Sequence, residues 1–81
     1  MPKAVVLVNT EMGGDEEVFN NLKRLDEVKS VYMVYGLYDI VVVIESDDMG
    51  KLKDIVYSKL RSSPKVRSTL TMIVVKDYEK K

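Results

Sequence analysis

The stretch Val31-Tyr-Met-Val-Tyr-Gly-Leu-Tyr-Asp-Ile-Val-Val-Val-Ile-Glu45 decides the fold. It reads as two strands, Val31 to Tyr35 and Tyr38 to Glu45, joined by a tight Gly36-Leu37-Tyr38-Asp39 turn. The core of the second strand, Ile40-Val-Val-Val-Ile44, is apolar at every position. An antiparallel strand with one wet face alternates apolar and polar residues. An unbroken run means that both faces are covered.

Working outward, Ala4-Val-Val-Leu-Val8 has the same unbroken, β-branched character and reads as another buried strand. Asn9-Thr-Glu-Met-Gly-Gly14 is a turn-rich loop. Asp15 is placed to cap a helix, with Glu16 and Glu17 in a first turn that favours negative charge. Val18, Leu22 and Leu25, with Phe19 beside them, form its apolar stripe, and the helix is expected to end near Glu27. Ser46-Asp-Asp48 offers caps for a second helix with the stripe Met49, Leu52, Ile55, Val56 and Leu60. Ser62-Ser-Pro64 stops it, because proline cannot continue the hydrogen-bond ladder. Val66 to Val75 reads as a fourth strand, and Asp77 to Lys81 as a solvated tail.

The order is βαβ twice over, with the hairpin at Gly36 between the halves. Right-handed crossovers fold both helices onto one face of a four-stranded antiparallel sheet. The fold class is therefore α+β, a ferredoxin-like βαββαβ arrangement. Its central strands are the first and third, the two uniformly apolar ones. The second and fourth mix in Tyr, Arg, Ser and Thr, as edge strands do. With both helices on one face, the other face keeps an apolar surface large for a monomer. A second copy packed sheet to sheet removes it, giving a homodimer, a dimeric α/β barrel.

Size and composition agree with that expectation. The 81 residues make one domain. A core of this size rarely supplies more than about 3–5 kcal/mol, so small folds lean on disulfides, metals or oligomerisation. The chain has no Cys and no His, which removes disulfides and soft metal sites. No EF-hand spacing is present, and no metal or cofactor is expected. Thirteen basic residues balance thirteen acidic ones, unlike a domain built to grip nucleic acid directly. No apolar run approaches membrane-spanning length, and the short apolar run after Met1 is too brief for a signal peptide. The expected location is cytoplasmic.

Two constellations carry a functional reading beside a plain one. Gly36-Leu37-Tyr38-Asp39 is plainly a hairpin turn in which Asp39 bonds nearby backbone amides. Functionally, it sets a carboxylate and a phenol at the lip of the sheet, where a small polar ligand docks. A carboxylate directly before five buried-type residues wants a partner, either a backbone amide or a ligand ammonium group. Thr69 and Thr71, two apart, share one face of the fourth strand. Their plain reading is β-propensity on an edge strand; their functional reading is a pair of hydroxyls for a carboxylate or amide. Tyr32, Tyr35 and Tyr38 cluster at the hairpin, and suit either edge packing or an interface.

At Val34-Tyr-Gly-Leu-Tyr-Asp-Ile-Val-Val-Val43 and Val66-Arg-Ser-Thr-Leu-Thr-Met-Ile-Val74 the chain resembles the leucine-responsive regulatory protein/AsnC family. It looks like that family's C-terminal effector-binding domain, also called the RAM domain, over nearly its whole length. The resemblance implies dimers that build tetramers, octamers or rings, with small effectors, mostly amino acids, bound between dimers. It implies an effector site at Gly36, Leu37, Tyr38, Asp39, Thr69 and Thr71, where Asp39 meets the ligand's ammonium group. Backbone amides near Gly36 and a threonine hydroxyl take the carboxylate. The family's helix-turn-helix has no counterpart before the first strand, so the resemblance is to the stand-alone members. Such a member regulates transcription without touching DNA itself, alone or in the assembly of a full-length regulator.

The rival readings are an ACT-like amino-acid sensor, which shares topology and ligand class, and a small dimeric α/β-barrel enzyme. The enzyme reading suffers from the lack of His and Cys as acid, base or nucleophile. An RNA-binding module of this topology needs stacking aromatics on its central strands, and these have none.

Overall fold

The computed structural model describes residues 1–80. Lys81, the end of the expected tail, lies outside the described residues. Strand β1 (Lys3–Thr10) leads to helix α1 (Asp15–Leu22), β2 (Val28–Met33), β3 (Ile40–Glu45), helix α2 (Met49–Ile55) and β4 (Val66–Ile73). The sheet order is β2-β3-β1-β4, antiparallel throughout, so the two uniformly apolar strands are central as expected.

Each central strand has two different faces. Along β1, Ala4, Val6, Val8 and Thr10 are buried and the residues between them half-buried; β3 repeats this with Ile40, Val42 and Ile44. The buried set meets Val18 and Leu22 of α1 and Leu52, Ile55, Val56 and Leu60 from α2 and its extension, which forms one core. Both helices therefore cover one face. The other face carries two cross-strand rows, Tyr32–Val41–Leu7–Leu70 and Ser30–Val43–Val5–Met72. Tyr32, Leu70 and Met72 are about half exposed there. Among the described residues no helix covers these rows. No described helix is long and apolar enough to cross a membrane.

Several boundaries differ from the sequence reading. Gly14 rather than Asp15 stands at the cap position of α1, and the helix ends at Leu22 rather than near Glu27. Tight turns carry the chain onward, with Arg24 N–H donating to Asn21 and Leu25 N–H to Leu22, so Leu25 still packs against the core. The expected tight turn at Gly36 to Asp39 is a longer connection, residues 34–39, and β2 lies earlier than expected because Met33 opposes Ile40 and Val28 opposes Ile44. Strand β4 stops at Ile73, since β1 offers no partner before Lys3 beyond the Val74 N–H to Lys3 bond.

Asp48 caps α2 as expected, accepting from Lys51 N–H at 2.8 Å. Met49, expected in the buried stripe, is 40% exposed. The helix runs on through a wider π-helical turn, Val56–Leu60, closed by Arg61 N–H to Val56. The tail is exposed but tethered: Lys3 Nζ donates to Asp77 at 2.8 Å. That hydrogen bond raises the Lys3 pKa and lowers that of Asp77.

The β1–α1 loop is strapped to the start of β4. Gly13 takes a left-handed φ of 79°, Glu11 N–H donates to the Lys65 carbonyl at 2.8 Å, and Lys65 Nζ lies 3.0 Å from Glu17. Gly14 fits because it lacks a side chain: a Cβ there would meet Lys65 Cβ at 2.9 Å and the Glu11 carbonyl at 3.1 Å. Gly14→Ala is expected to cost about 1–3 kcal/mol through this overpacking. A urea midpoint equal to wild type would contradict the close approach.

Candidate functional site

Asp39 organises one end of the sheet. It closes the 34–39 connection by accepting Val34 N–H on its carbonyl at 2.9 Å, and its own N–H donates to Val8 at 3.0 Å. Its side chain reaches across to β1. Oδ2 accepts from Thr10 N–H at 2.8 Å and from Thr10 Oγ1 at 3.2 Å. The β1–β4 register shifts between Asn9 and Thr10, and the carboxylate takes the Thr10 N–H at that irregularity. Of the two partners that the sequence left open, a backbone amide or a ligand ammonium group, the carboxylate has a backbone amide, on another strand. No hydrogen bond reaches Oδ1 among the described residues.

Two hollows flank Asp39. The larger, about 570 Å³, is lined by Asn9, Glu11, Asp15, Leu37, Asp39 and Arg67 among others. The smaller, about 270 Å³, is lined by Asp15, Met33, Val34, Tyr35 and Asp39. Asp15 and Asp39 wall both. Asp15 Oδ1 accepts from Glu16 N–H at 3.0 Å. Arg67 has no ion-pair partner among the described residues.

The residues expected at the site divide into two groups. Leu37 and Asp39 line the larger hollow; Gly36 and Tyr38 belong to the same connection, Gly36 exposed and Tyr38 half-buried. Thr69 and Thr71 share a face as expected, but it is the helix face of β4, where they oppose Val8 and Val6. Strand β1 separates them from the connection, and Thr69 borders a different hollow with Arg61, Val66, Arg67 and Ser68, of which Arg67 and Ser68 also line the larger one. Within one protomer the two groups do not meet. The sequence reading missed Arg67, Asn9 and the role of Asp15 as a wall. The signal for them lies in topology alone: antiparallel pairing brings the end of β1 beside the start of β3 on one side and the start of β4 on the other.

At the opposite end of the sheet, Glu27, Lys59, Asp47 and Lys51 line a fourth hollow, but their charges are paired. Its own backbone N–H and the Lys59 ammonium hold the Glu27 carboxyl below the usual range. No group of three or more acidic side chains among the described residues could hold a metal ion.

Comparison with known proteins agrees with this architecture. The model of the Lrp/AsnC ligand binding domain matches residues 3–81. The chain is 38% identical over 66 residues to the HTH-type transcriptional regulator YugG of Bacillus subtilis, covering 82% of this chain and 40% of that protein. The chain thus spans less than half the length of that relative. A homocitrate synthase of Saccharolobus islandicus is 39% identical over 59 residues, 73% of this chain but 13% of that enzyme. The crystal structure of FFRP-DM1 superposes with a TM-score of 0.90 at 37% identity, covering 93% of this chain and all of that one. The L-methionine complex of the Neisseria meningitidis regulator NMB0573 shares the fold, with a TM-score of 0.85 at 21% identity, covering 98% of this chain and 53% of that one. With its fold and the greater part of its length matched, the chain belongs to the Lrp/AsnC ligand-binding domain family.

Proposed function

We propose that the 81 residues act as one effector-binding and oligomerisation unit in transcriptional regulation. It binds an α-amino acid in the hollows beside Asp39 and pairs with a second copy through the unroofed sheet face. Family membership supports the regulatory role, and the methionine held by NMB0573 supports the ligand class. The observation that carries the site is the position of Asp39, with one oxygen committed to Thr10 and the wall of two hollows around it. Leu37 and Asp39 bind from within the protomer, while Thr69 and Thr71, on the helix face of β4, enter only from a further copy packed outside the sheet-to-sheet pair. The two apolar rows on the outer face support the homodimer, the unit from which larger assemblies, including ones with a full-length regulator, are built. The setting proposed is the cytoplasm, where amino-acid pools are sensed.

The domain binds its ligand without turning it over. The stretch shared with homocitrate synthase is a small fraction of that enzyme, which fits a binding unit attached to a separate reaction centre.

Calorimetry with the twenty amino acids tests the site. At least one is expected to bind, and Asp39→Asn is expected to weaken it about tenfold by removing a charge-assisted contact. Asn keeps an acceptor for Thr10. Asp39→Ala does not, and leaving the buried Thr10 N–H unpaired is expected to cost about 1–3 kcal/mol of stability as well. Absence of amino-acid binding by the folded, oligomeric protein would defeat the proposal.

A further inference from the structure

The two hollows beside Asp39 differ in chemistry and share a wall. The larger is lined by Arg67 as well as by Glu11, Asp15 and Asp39, and Arg67 forms no ion pair with any of the three. One cavity thus carries both signs of charge without pairing them. That is the pattern a zwitterion matches, because each of its ends meets an unspent partner. Arg67 presents a planar fork suited to a carboxylate. The shared wall brings in two carboxylates, and like charges on one wall are relieved by a cation placed between them. Asp39 has Oδ1 without a hydrogen bond, and the side chain of Asp15 has only the neighbouring Glu16 N–H. The smaller hollow is otherwise walled by Met33, Val34 and Tyr35, an apolar lining left exposed in the protomer.

We infer that the site reads an α-amino acid with an apolar side chain in one fixed sense. Arg67 anchors the carboxylate, Asp15 joins Asp39 in holding the ammonium group, and Met33, Val34 and Tyr35 receive the side chain. This rests on the proposed effector site and adds three specificity elements to it. Each part of the ligand answers to a separate part of the chain, so each can be removed by itself.

The test is calorimetry on the full chain with L-methionine, L-leucine, L-lysine, L-methioninamide and N-acetyl-L-methionine. With wild type, blocking either end of methionine is expected to weaken binding about tenfold, the loss of one charge-assisted contact. Arg67→Gln is expected to weaken L-methionine about tenfold and to erase the difference between it and its amide. Asp15→Asn is expected to erase part of the difference between L-methionine and its N-acetyl form. A merely structural role for either residue lowers all ligands together and leaves those differences in place, which overturns its assignment. L-Lysine binding more tightly than both apolar amino acids overturns the side-chain hollow. Binding of amino acids with full discrimination kept in Arg67→Gln sinks this inference alone, whereas binding of none sinks the effector site as well.

Discussion

Val42→Asp is expected to leave no folded protein at room temperature. Val42 is fully buried, at the centre of a row that runs Val31–Val42–Val6–Thr71 across all four strands. The helices close over it, so a carboxylate there has neither water nor a partner. Burying an unpaired charge belongs to the small group of changes that cost more than about 4 kcal/mol. A core of this size rarely supplies more than about 3–5 kcal/mol, so the penalty consumes the stability of the protomer. Far-UV circular dichroism and amide dispersion in NMR read the outcome. Val42→Thr, of similar volume, is the control and is expected to fold at a cost of about 1–3 kcal/mol for its buried hydroxyl. A dispersed, cooperative Val42→Asp spectrum would contradict the placement of this strand.

Leu7→Glu makes the opposite prediction with a residue one step from Val6. Leu7 stands in the row Tyr32–Val41–Leu7–Leu70, on the face that no helix covers. In an isolated protomer a glutamate there reaches water, so the fold and its thermal transition survive nearly unchanged. Against a second sheet it is desolvated beside apolar side chains. Self-association is then expected to weaken at least about a hundredfold, close to 3 kcal/mol. Sedimentation equilibrium on wild type and Leu7→Glu separates the cases. A folded variant that associates as wild type does would show that this face is not shared.

The fold was legible because periodicity reports burial directly. Unbroken apolar runs marked β1 and β3 as central, and Asp48 announced the start of α2 through a bond within its own first turn. The misplaced boundaries have a common cause. Leu25 continued the helical stripe, and it does pack on the core, but from a turn rather than from the helix. Local spacing tells which residues are buried, not which hydrogen bonds place them there. The site was less legible still. Asp39 was marked by its awkward position before an apolar run, yet its partner Thr10 lies on another strand, at a register shift that no local pattern encodes. Arg67 gave no signal, since an arginine on an edge strand looks like any solvated residue until topology sets it beside a hollow. Thr69 and Thr71 were correctly read as sharing a face, but strand alternation cannot say which face, and theirs lies across β1 from Asp39.

The alternation along β1 also governs how sequence change is tolerated. Residues 4, 6 and 8 are judged within one molecule. Residues 5 and 7, should two copies meet about a two-fold axis, are judged by a surface that confronts its own image. Every substitution on that side is then made in duplicate across one interface, so its gain or penalty is doubled per assembly. Two neighbouring codons, six and seven, would therefore drift under different statistics: one against a fixed neighbourhood, the other against a neighbourhood that mutates in step with it.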